Sequence, residues 1–353
     1  MSKVKVKIVG GTGYTGGELV RLLLHHPEVE LTAVTAGSVE FPQPLHTVWK
    51  QLRGVTTVPL TKENSSDACG ADVVFLSVPH GAAMQLAEEY LHQGCIVIDL
   101  SADFRFRNPH DREGWYPAPH PPPHLCEQAV YGMPELNRNE ISSANLIACP
   151  GCYATSVILG LYPALKNRHI EPKGIHVSAA SGVTGAGKTP KPHFHYPEMD
   201  QNYFAYRIGK HQHLPEIRSV LSGAAGQTVS LSFVPHVLPV RRGIFSTMFC
   251  APADGFSLQQ MRDGYQTVYE NEPFMRVYDL GEEPNLQAVT GTNFLDIALH
   301  QDRETGGFII LSVEDNLLKG AAGQAVQCFN IRMGFPETLA LTVQGLLPLP
   351  ASV

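Results

Sequence analysis

The chain has 353 residues, a formal net charge of −7, 43% hydrophobic and 17% charged residues. That is the profile of a folded, enzyme-sized protein, and the length favours two domains. No basic stripe suits nucleic acid or an anionic membrane, and no run approaches the ~20 apolar residues of a bilayer span. The opening "MSKVKVKIVGG" has too short an apolar part for a secretory leader. Seven scattered cysteines, an odd number, make no disulfide framework, and the expected location is the reducing cytoplasm.

In chain order, "VKVKIVGG" alternates and then turns apolar, as a strand entering a sheet does. "GELVRLLLHHP" has helical spacing and stops at Pro27, and "ELTAVTA" reads as a second strand. "ADVVFLSVP" and "GCIVIDLSA" are strands of buried type, separated by the helical "HGAAMQLAEEYLHQ". This alternation predicts a Rossmann-type, doubly wound parallel sheet over residues 1–150. The stretch "RNPHDREGWYPAPHPPPHLCE", rich in Pro and His, reads as an irregular surface excursion, and its His spacing is wrong for a metal. From about residue 170 the texture changes. "GIHVSAASG", "TVSLSFVPHV", "GIFSTMFCAP" and "FIILSVEDN" follow one another with few helices between them, so residues 151–317 are expected to form an α+β domain with a mixed sheet. A helix over 318–353 is expected to return and complete the first domain.

Gly11-Thr12-Gly13-Tyr14-Thr15-Gly16 is a G-x-G-x-x-G between a strand and a helix, the context a dinucleotide-binding turn requires. Glycine lets backbone amides approach a pyrophosphate, and the helix N-terminus adds free N–H groups and a favourable dipole. An NAD site places an acid after the second strand to hold the ribose 2′-hydroxyl. Here that position is Thr35-Ala36-Gly37-Ser38, without an acid, which favours NADP(H), with Thr35 and Ser38 as contacts.

"CPGCYATS" raises the second question. A redox C-x-x-C sits early in a small domain, and a zinc site needs a second ligand pair. The remaining reading is one nucleophile. Cys152 follows the Pro150-Gly151 turn and opens a helical stretch whose dipole stabilises a thiolate. Cys149 ends the apolar run "NLIAC" and reads as a buried, inert thiol. A dinucleotide fold followed by an activated cysteine points to a thioester that exchanges hydride with a nicotinamide. The thiolate needs a histidine partner, and His211 and His213 stand out in "GKHQHLPEI", with Glu216 at the helix start able to orient an imidazole.

Together, "GGTGYTGGEL", "DLSADFR", "YGMPEL", "PGCYATS", "SGVTGAGK", "HQHLPEI", "RRGI" and "EDNLLKGAAGQAVQ" resemble the N-acetyl-γ-glutamyl-phosphate reductases, the arginine-biosynthesis relatives of aspartate-semialdehyde dehydrogenase. The resemblance runs through nearly the whole chain in order. It implies NADPH-dependent reduction of an acyl phosphate to an aldehyde with release of phosphate, the nucleophile falling on Cys152 and the His-x-His-x-Pro-Glu segment on His211, His213 and Glu216. Many members carry Arg where this chain has Gln212, and the insert at 188–200 is unusual.

An acyl phosphate needs cationic forks. Arg105, in the loop after a parallel strand, is the first choice, with Asp103 as its structural partner, and Arg242 is the second. Ser181 and Gly182 are expected at the acyl group or nicotinamide, Asn316 at the nicotinamide amide, and Pro79 beside the cofactor. Expected partners are the small acyl phosphate and further copies of the chain, as a homodimer or homotetramer, with no nucleic acid, membrane or metal. The alternatives are a reductase of carrier-bound aminoadipyl phosphate, an aspartate-semialdehyde dehydrogenase, and a non-catalytic NADP-binding sensor. A carrier-binding surface should be basic, so the net charge of −7 favours the small substrate.

Overall fold

A computed structural model describes residues 2–116 and 119–341 of the chain, and these divide into two compact units. One runs to Gly151 and takes in the segment that begins at Ala321. The other spans Cys152–Gly320.

The first unit carries β1 (Val4–Val9), α1 (Tyr14–Leu24), β2 (Val29–Ala36), β3 (Gln43–Pro44), β4 (Pro59–Lys62), β5 (Val73–Leu76), α2 (Ala83–His92), β6 (Ile96–Asp99), α3 (Pro123–Gln128), β7 (Val130–Tyr131), α4 (Pro134–Ile141) and β8 (Leu146–Ala148). The sheet order is β3-β4-β2-β1-β5-β6-β8-β7, parallel except for the edge pair β3–β4. The order reverses at β1, as in a doubly wound sheet. The central strands are buried on both faces, which is why they read as unbroken apolar runs. Val74 and Leu76 pack with Ala83, Ala87 and Tyr90 of α2, while the intervening Phe75 meets Phe329 at a centroid distance of 5.9 Å.

The Pro- and His-rich stretch is not wholly an irregular surface excursion. Pro123 occupies the first turn of α3, where a missing N–H costs nothing, and Leu125 and Cys126 are buried. Arg112 is buried too, donating to the Asp103 carbonyl at 3.0 Å and pairing with the Asp103 carboxylate at 3.5 Å. The expected helix over 318–353 is also shorter. A π-helical turn at Leu318–Ala322 leads into α10 (Gly323–Met333), the last helix among the described residues. Gly334, at φ +72°, ends α10 in the left-handed conformation, and the Phe335 N–H reaches back to the Asn330 carbonyl at 2.8 Å. Residues 342–353 lie outside the described residues.

The second unit carries α5 (Cys152–Lys166), β9 (Ile175–Gly182), α6 (Tyr196–Met199), β10 (Phe204–Ala205), α7 (His213–Ala225), β11 (Leu231–Leu238), β12 (Ile244–Cys250), α8 (Leu258–Tyr269), β13 (Met275–Val277), α9 (Leu286–Val289), β14 (Leu295–Gln301) and β15 (Phe308–Glu314). Its sheet is mixed, in the order β10-β11-β9-β12-β15-β14-β13, with β9–β11 and β13–β14 parallel. One face packs on α5, where Ser156 meets Ser246 at 2.8 Å and Ser312 at 3.1 Å. On the other face Phe245, Ile309 and Leu311 are half-buried and Phe249 is exposed.

Helix α5 is apolar nearly all round and contains Pro163. Proline has no N–H, so the carbonyl four residues earlier, that of Leu159, loses its helical donor. The Tyr269 hydroxyl of α8 supplies one at 2.5 Å, and the Tyr265 hydroxyl bonds the next carbonyl, that of Gly160. Tyr269→Phe should therefore lower stability by about 1–3 kcal/mol, the cost of an unsatisfied buried acceptor, read as a shift in the urea unfolding midpoint. Unchanged stability would show that the Leu159 carbonyl does not depend on the tyrosine.

Candidate active site

In the first unit the turn after β1 exists because side chains are missing from it. Gly10 has φ +91°, and a Cβ there would collide with the Ser77 carbonyl just past β5. A Cβ on Gly16 would strike the Gly10 carbonyl, and one on Gly11 the Val34 side chain. The turn thus passes the end of β1 where the strand order reverses, and α1 begins hard against it. Gly13 is the N-cap of α1, with no side-chain cap and no acid in the first turn. The first-turn amides and the helix dipole face out of the turn, a cradle for an anion. Thr12, Tyr14 and Thr15 are half-buried along it. These residues fit the pyrophosphate of a dinucleotide, because the space depends on the absent Cβ atoms. Trp49 closes the turn, its indole N–H donating to the Gly11 carbonyl at 2.7 Å. No spacing pattern pointed to this tryptophan, and Gly10 was signalled only by the doubled glycine of "VGG".

Thr35 is placed differently from expectation. It is buried, its hydroxyl bonds Glu63, and its carbonyl accepts the Gly10 and Gly11 N–H groups at 2.8 and 3.0 Å. It therefore supports the turn from behind. Glu63 also accepts from the Tyr90 hydroxyl and pairs with buried Lys7 at 3.5 Å. Burial and the Glu63 carboxylate hold the Tyr90 phenol far above its ordinary range. Ser38 is exposed at the C-terminal end of β2, and Pro79 is exposed after β5.

Asp103 is not the partner of Arg105. It is fully buried, pairs with Arg112, and accepts from the Gly81 N–H at 2.9 Å and the Ala83 N–H at 3.2 Å, anchoring the loop that carries Pro79. Arg105 donates instead to the Cys149 carbonyl at 2.8 Å and the Leu100 carbonyl at 3.2 Å. It fastens the strand end that leads into the Pro150-Gly151 turn. Asp99 bonds the Ser101 N–H and hydroxyl, and its carbonyl accepts the Cys149 N–H at 2.8 Å. Burial first, then Asp103, raise the Asp99 carboxyl to about 7.

In the second unit Cys152 is the first residue of α5 and is half-buried, whereas Cys149 is buried in the first unit. The peptide dipoles of α5 favour negative charge at the Cys152 sulfur. The next residue, Tyr153, gathers the histidines. Its ring meets His211 edge-on at 5.4 Å and His213 at 6.2 Å, and the two imidazoles lie 4.8 Å apart. The sequence reading placed these histidines together but missed Tyr153, which looked like one more apolar residue of a helix. His211 Nδ1 accepts the His213 N–H at 3.2 Å, so the neutral ring carries its proton on Nε2, which faces the Tyr206 hydroxyl at 3.4 Å. Burial, reinforced by the Arg207 charge, lowers His211 to about 4. Glu216 is buried in the first turn of α7, three residues beyond His213 and thus on the same face of the helix.

Other expected residues line the same unit. Ser181 is buried at the end of β9, its hydroxyl bonded to the Gly182 carbonyl at 3.0 Å. Gly182 is required because a Cβ would come within 2.7 Å of the Arg242 nitrogen. Arg242 is half-buried and pairs with the Asp315 carboxylate at 3.6 Å. Asn316 is buried and clamped, accepting the Gly243 N–H at 2.8 Å and donating to the Thr184 hydroxyl at 3.0 Å. Glu314 and Gly320 escaped the sequence reading. A Cβ on Gly320 would fall 2.8 Å from the Cys152 Cβ and 2.9 Å from a Glu314 carboxylate oxygen, so this glycine leaves the Cys152 side chain its room. Among the described residues no cluster could hold a metal ion, and no helix is long and apolar enough to cross a membrane.

A family model described as the NAD binding domain of semialdehyde dehydrogenase matches residues 5–144, and one described as its dimerisation domain matches 152–316. The N-acetyl-gamma-glutamyl-phosphate reductase of Pelotomaculum thermopropionicum is 44% identical over 346 residues, 98% of this chain and 99% of its own. That of Citrifermentans bemidjiense is 45% identical over 347 residues, covering 98% and 100%. Among solved structures, aspartate semialdehyde dehydrogenase II of Vibrio cholerae matches with a TM-score of 0.70 at 17% identity, over 94% of this chain and 99% of that one. The aspartate semialdehyde dehydrogenase with NADP from Candida albicans gives 0.67 at 16% identity, over 94% and 98%. At such identities the likeness is one of fold.

The geometry ranks the thiols. Brief alkylation with iodoacetamide followed by peptide mass spectrometry should modify Cys152 first. Cys69, exposed but with its thiol pushed up by burial of its sulfur and nearby acids, should follow. Buried Cys149 should react only on unfolding. Faster labelling of Cys149 than of Cys152 would reverse the assignment within "CPGC".

Proposed function

The chain belongs to the N-acetyl-gamma-glutamyl-phosphate reductase family, and on that premise we propose that it uses NADPH to reduce N-acetyl-γ-glutamyl phosphate to N-acetylglutamate 5-semialdehyde and phosphate, in arginine biosynthesis. The observation that carries this reading is the Cys152 thiol at the start of α5, next to the tyrosine on which both histidines of "HQH" converge.

The thiolate of Cys152 attacks the acyl carbon, the phosphate leaves with its bonding electron pair, and a thioester remains on the sulfur. The nicotinamide cofactor, when bound in the glycine cradle, supplies the hydride that reduces this carbon. Collapse of the resulting thiohemiacetal releases the aldehyde and returns the thiolate. A side chain must accept the proton of the resting thiol and return one to an oxygen. His211 is poorly suited to this at neutral pH, since its conjugate acid forms only toward pH 4 and both ring nitrogens face partners. We therefore assign the proton to His213, oriented by Glu216 one helical turn on, and make His211 its support. Arg242 is the guanidinium group assigned to the phosphate, with Ser181 and Gly182 beside the acyl group, while Arg105 keeps its hold on the Cys149 carbonyl. Self-association is assigned to the sheet face that bears Phe245 and Phe249, in the region matched by the dimerisation-domain model.

Two sets of variants test this, assayed as NADP-dependent oxidation of N-acetylglutamate semialdehyde in the presence of phosphate. Cys152→Ser should abolish turnover while NADP binding persists, and Cys149→Ser should stay active. No turnover by the wild-type protein would sink the reading itself.

His213→Asn should lower kcat by about 10² to 10⁴ and remove one limb of the pH profile. His211→Asn should mainly raise KM for the acyl substrate. The opposite pattern would return the proton to His211.

A further inference from the structure

The sequence offers no cation near Thr35–Ser38 to meet the 2′-phosphate of NADPH, and the sheet register places one there from elsewhere. Strand β4 runs parallel to β2 with Val34 opposite Leu60, Thr35 opposite Thr61 and Ala36 opposite Lys62. In a strand pair, residues opposite one another share a face, and alternate residues return to it. The cofactor face can be identified independently, because a Cβ on Gly11 of the phosphate turn would run into Val34. Val34 and Leu60 therefore lie on the face of the turn, and Ala36 and Lys62 lie on it too, two residues nearer the C-terminal edge. Ligands bind at that edge in doubly wound sheets. Lys62 is exposed there, beside the turn closed by the Val39 N–H to Ala36 carbonyl bond at 3.3 Å, which holds Gly37 and Ser38 at its exposed tip. The intervening residues take the other face. Thr35 bonds Glu63, and Glu63 is engaged by Lys7 and Tyr90. The acid contributed by this strand end thus points away from the cofactor face, and the base points along it.

We propose that Lys62 is the cofactor-specificity residue of this chain, supplying the positive charge that receives the 2′-phosphate of NADPH at the C-terminal edge of β2 and β4, with the Ser38 hydroxyl beside it. The proposal rests on the dinucleotide reading of the glycine turn and names the group that makes the site prefer the phosphorylated ribose.

Calorimetric titration of the full-length protein with adenosine 2′,5′-bisphosphate and, separately, with 5′-AMP tests it without turnover. Lys62→Ala should weaken the bisphosphate by about tenfold or more, the effect of losing a charge-assisted contact. It should leave 5′-AMP unchanged, and Lys62→Arg should restore the affinity. Raised salt should erode the difference between wild type and Lys62→Ala, because the contact is ionic. Bisphosphate affinity within twofold of wild type in Lys62→Ala would overturn the proposal while leaving the NADPH reading standing. An equal fall for both nucleotides would also overturn it, showing that Lys62 holds the strand and not the phosphate. A wild-type protein that binds both nucleotides equally would overturn the NADPH reading and this inference together.

Discussion

The proposed chemistry depends on one constraint: a helix must begin at Cys152, and the chain leading into it must be held. The Arg105 guanidinium meets the second demand by bonding the Cys149 carbonyl, and the Asp99 carbonyl holds the Cys149 N–H from the neighbouring strand. With both peptide groups of Cys149 fixed, Pro150 and Gly151 have a defined starting direction, and α5 starts at Cys152. The remainder of this region is arranged around that start. Gly320 leaves room beside the Cys152 Cβ, and Tyr153 lines up the imidazoles.

What the sequence revealed was whatever is written locally. The glycine turn, the helix opening at Cys152, the short apolar strands and the crowding of later strands into a mixed sheet all follow from neighbours in the chain. Relationships set by register or by side-chain direction were not legible. Asp103 precedes Arg105 by two residues and invited pairing with it, yet around the loop the two side chains take different partners, Asp103 pairing with Arg112 and Arg105 with backbone carbonyls. Thr35 looked like a ribose contact because it lies near the end of β2, but its pleat position turns it to the opposite face. Searching for an acid or a base only within 35–38 could not find Glu63 or Lys62, since a neighbouring strand delivers both.

Buried charge in the first unit is handled by pairing. Lys7, Glu63 and Tyr90 form one closed group, and Arg112 with Asp103 another. Removing one member of such a pair leaves an uncompensated charge in a low dielectric, whereas the intact pair contributes little net stability. Their value lies in direction: each fixes a loop at the C-terminal edge of the sheet, where small displacements matter most.

The proline in α5 has a consequence for synthesis. The Leu159 carbonyl cannot be satisfied within its own helix and waits for Tyr269, 110 residues downstream. A growing chain that has displayed Cys152 to the solvent still lacks the donor that completes the middle of its helix. The scaffold of Cys152 is finished only once α8 has been made and docked, so a truncated product ending before α8 carries the thiol but not the completed helix beneath it.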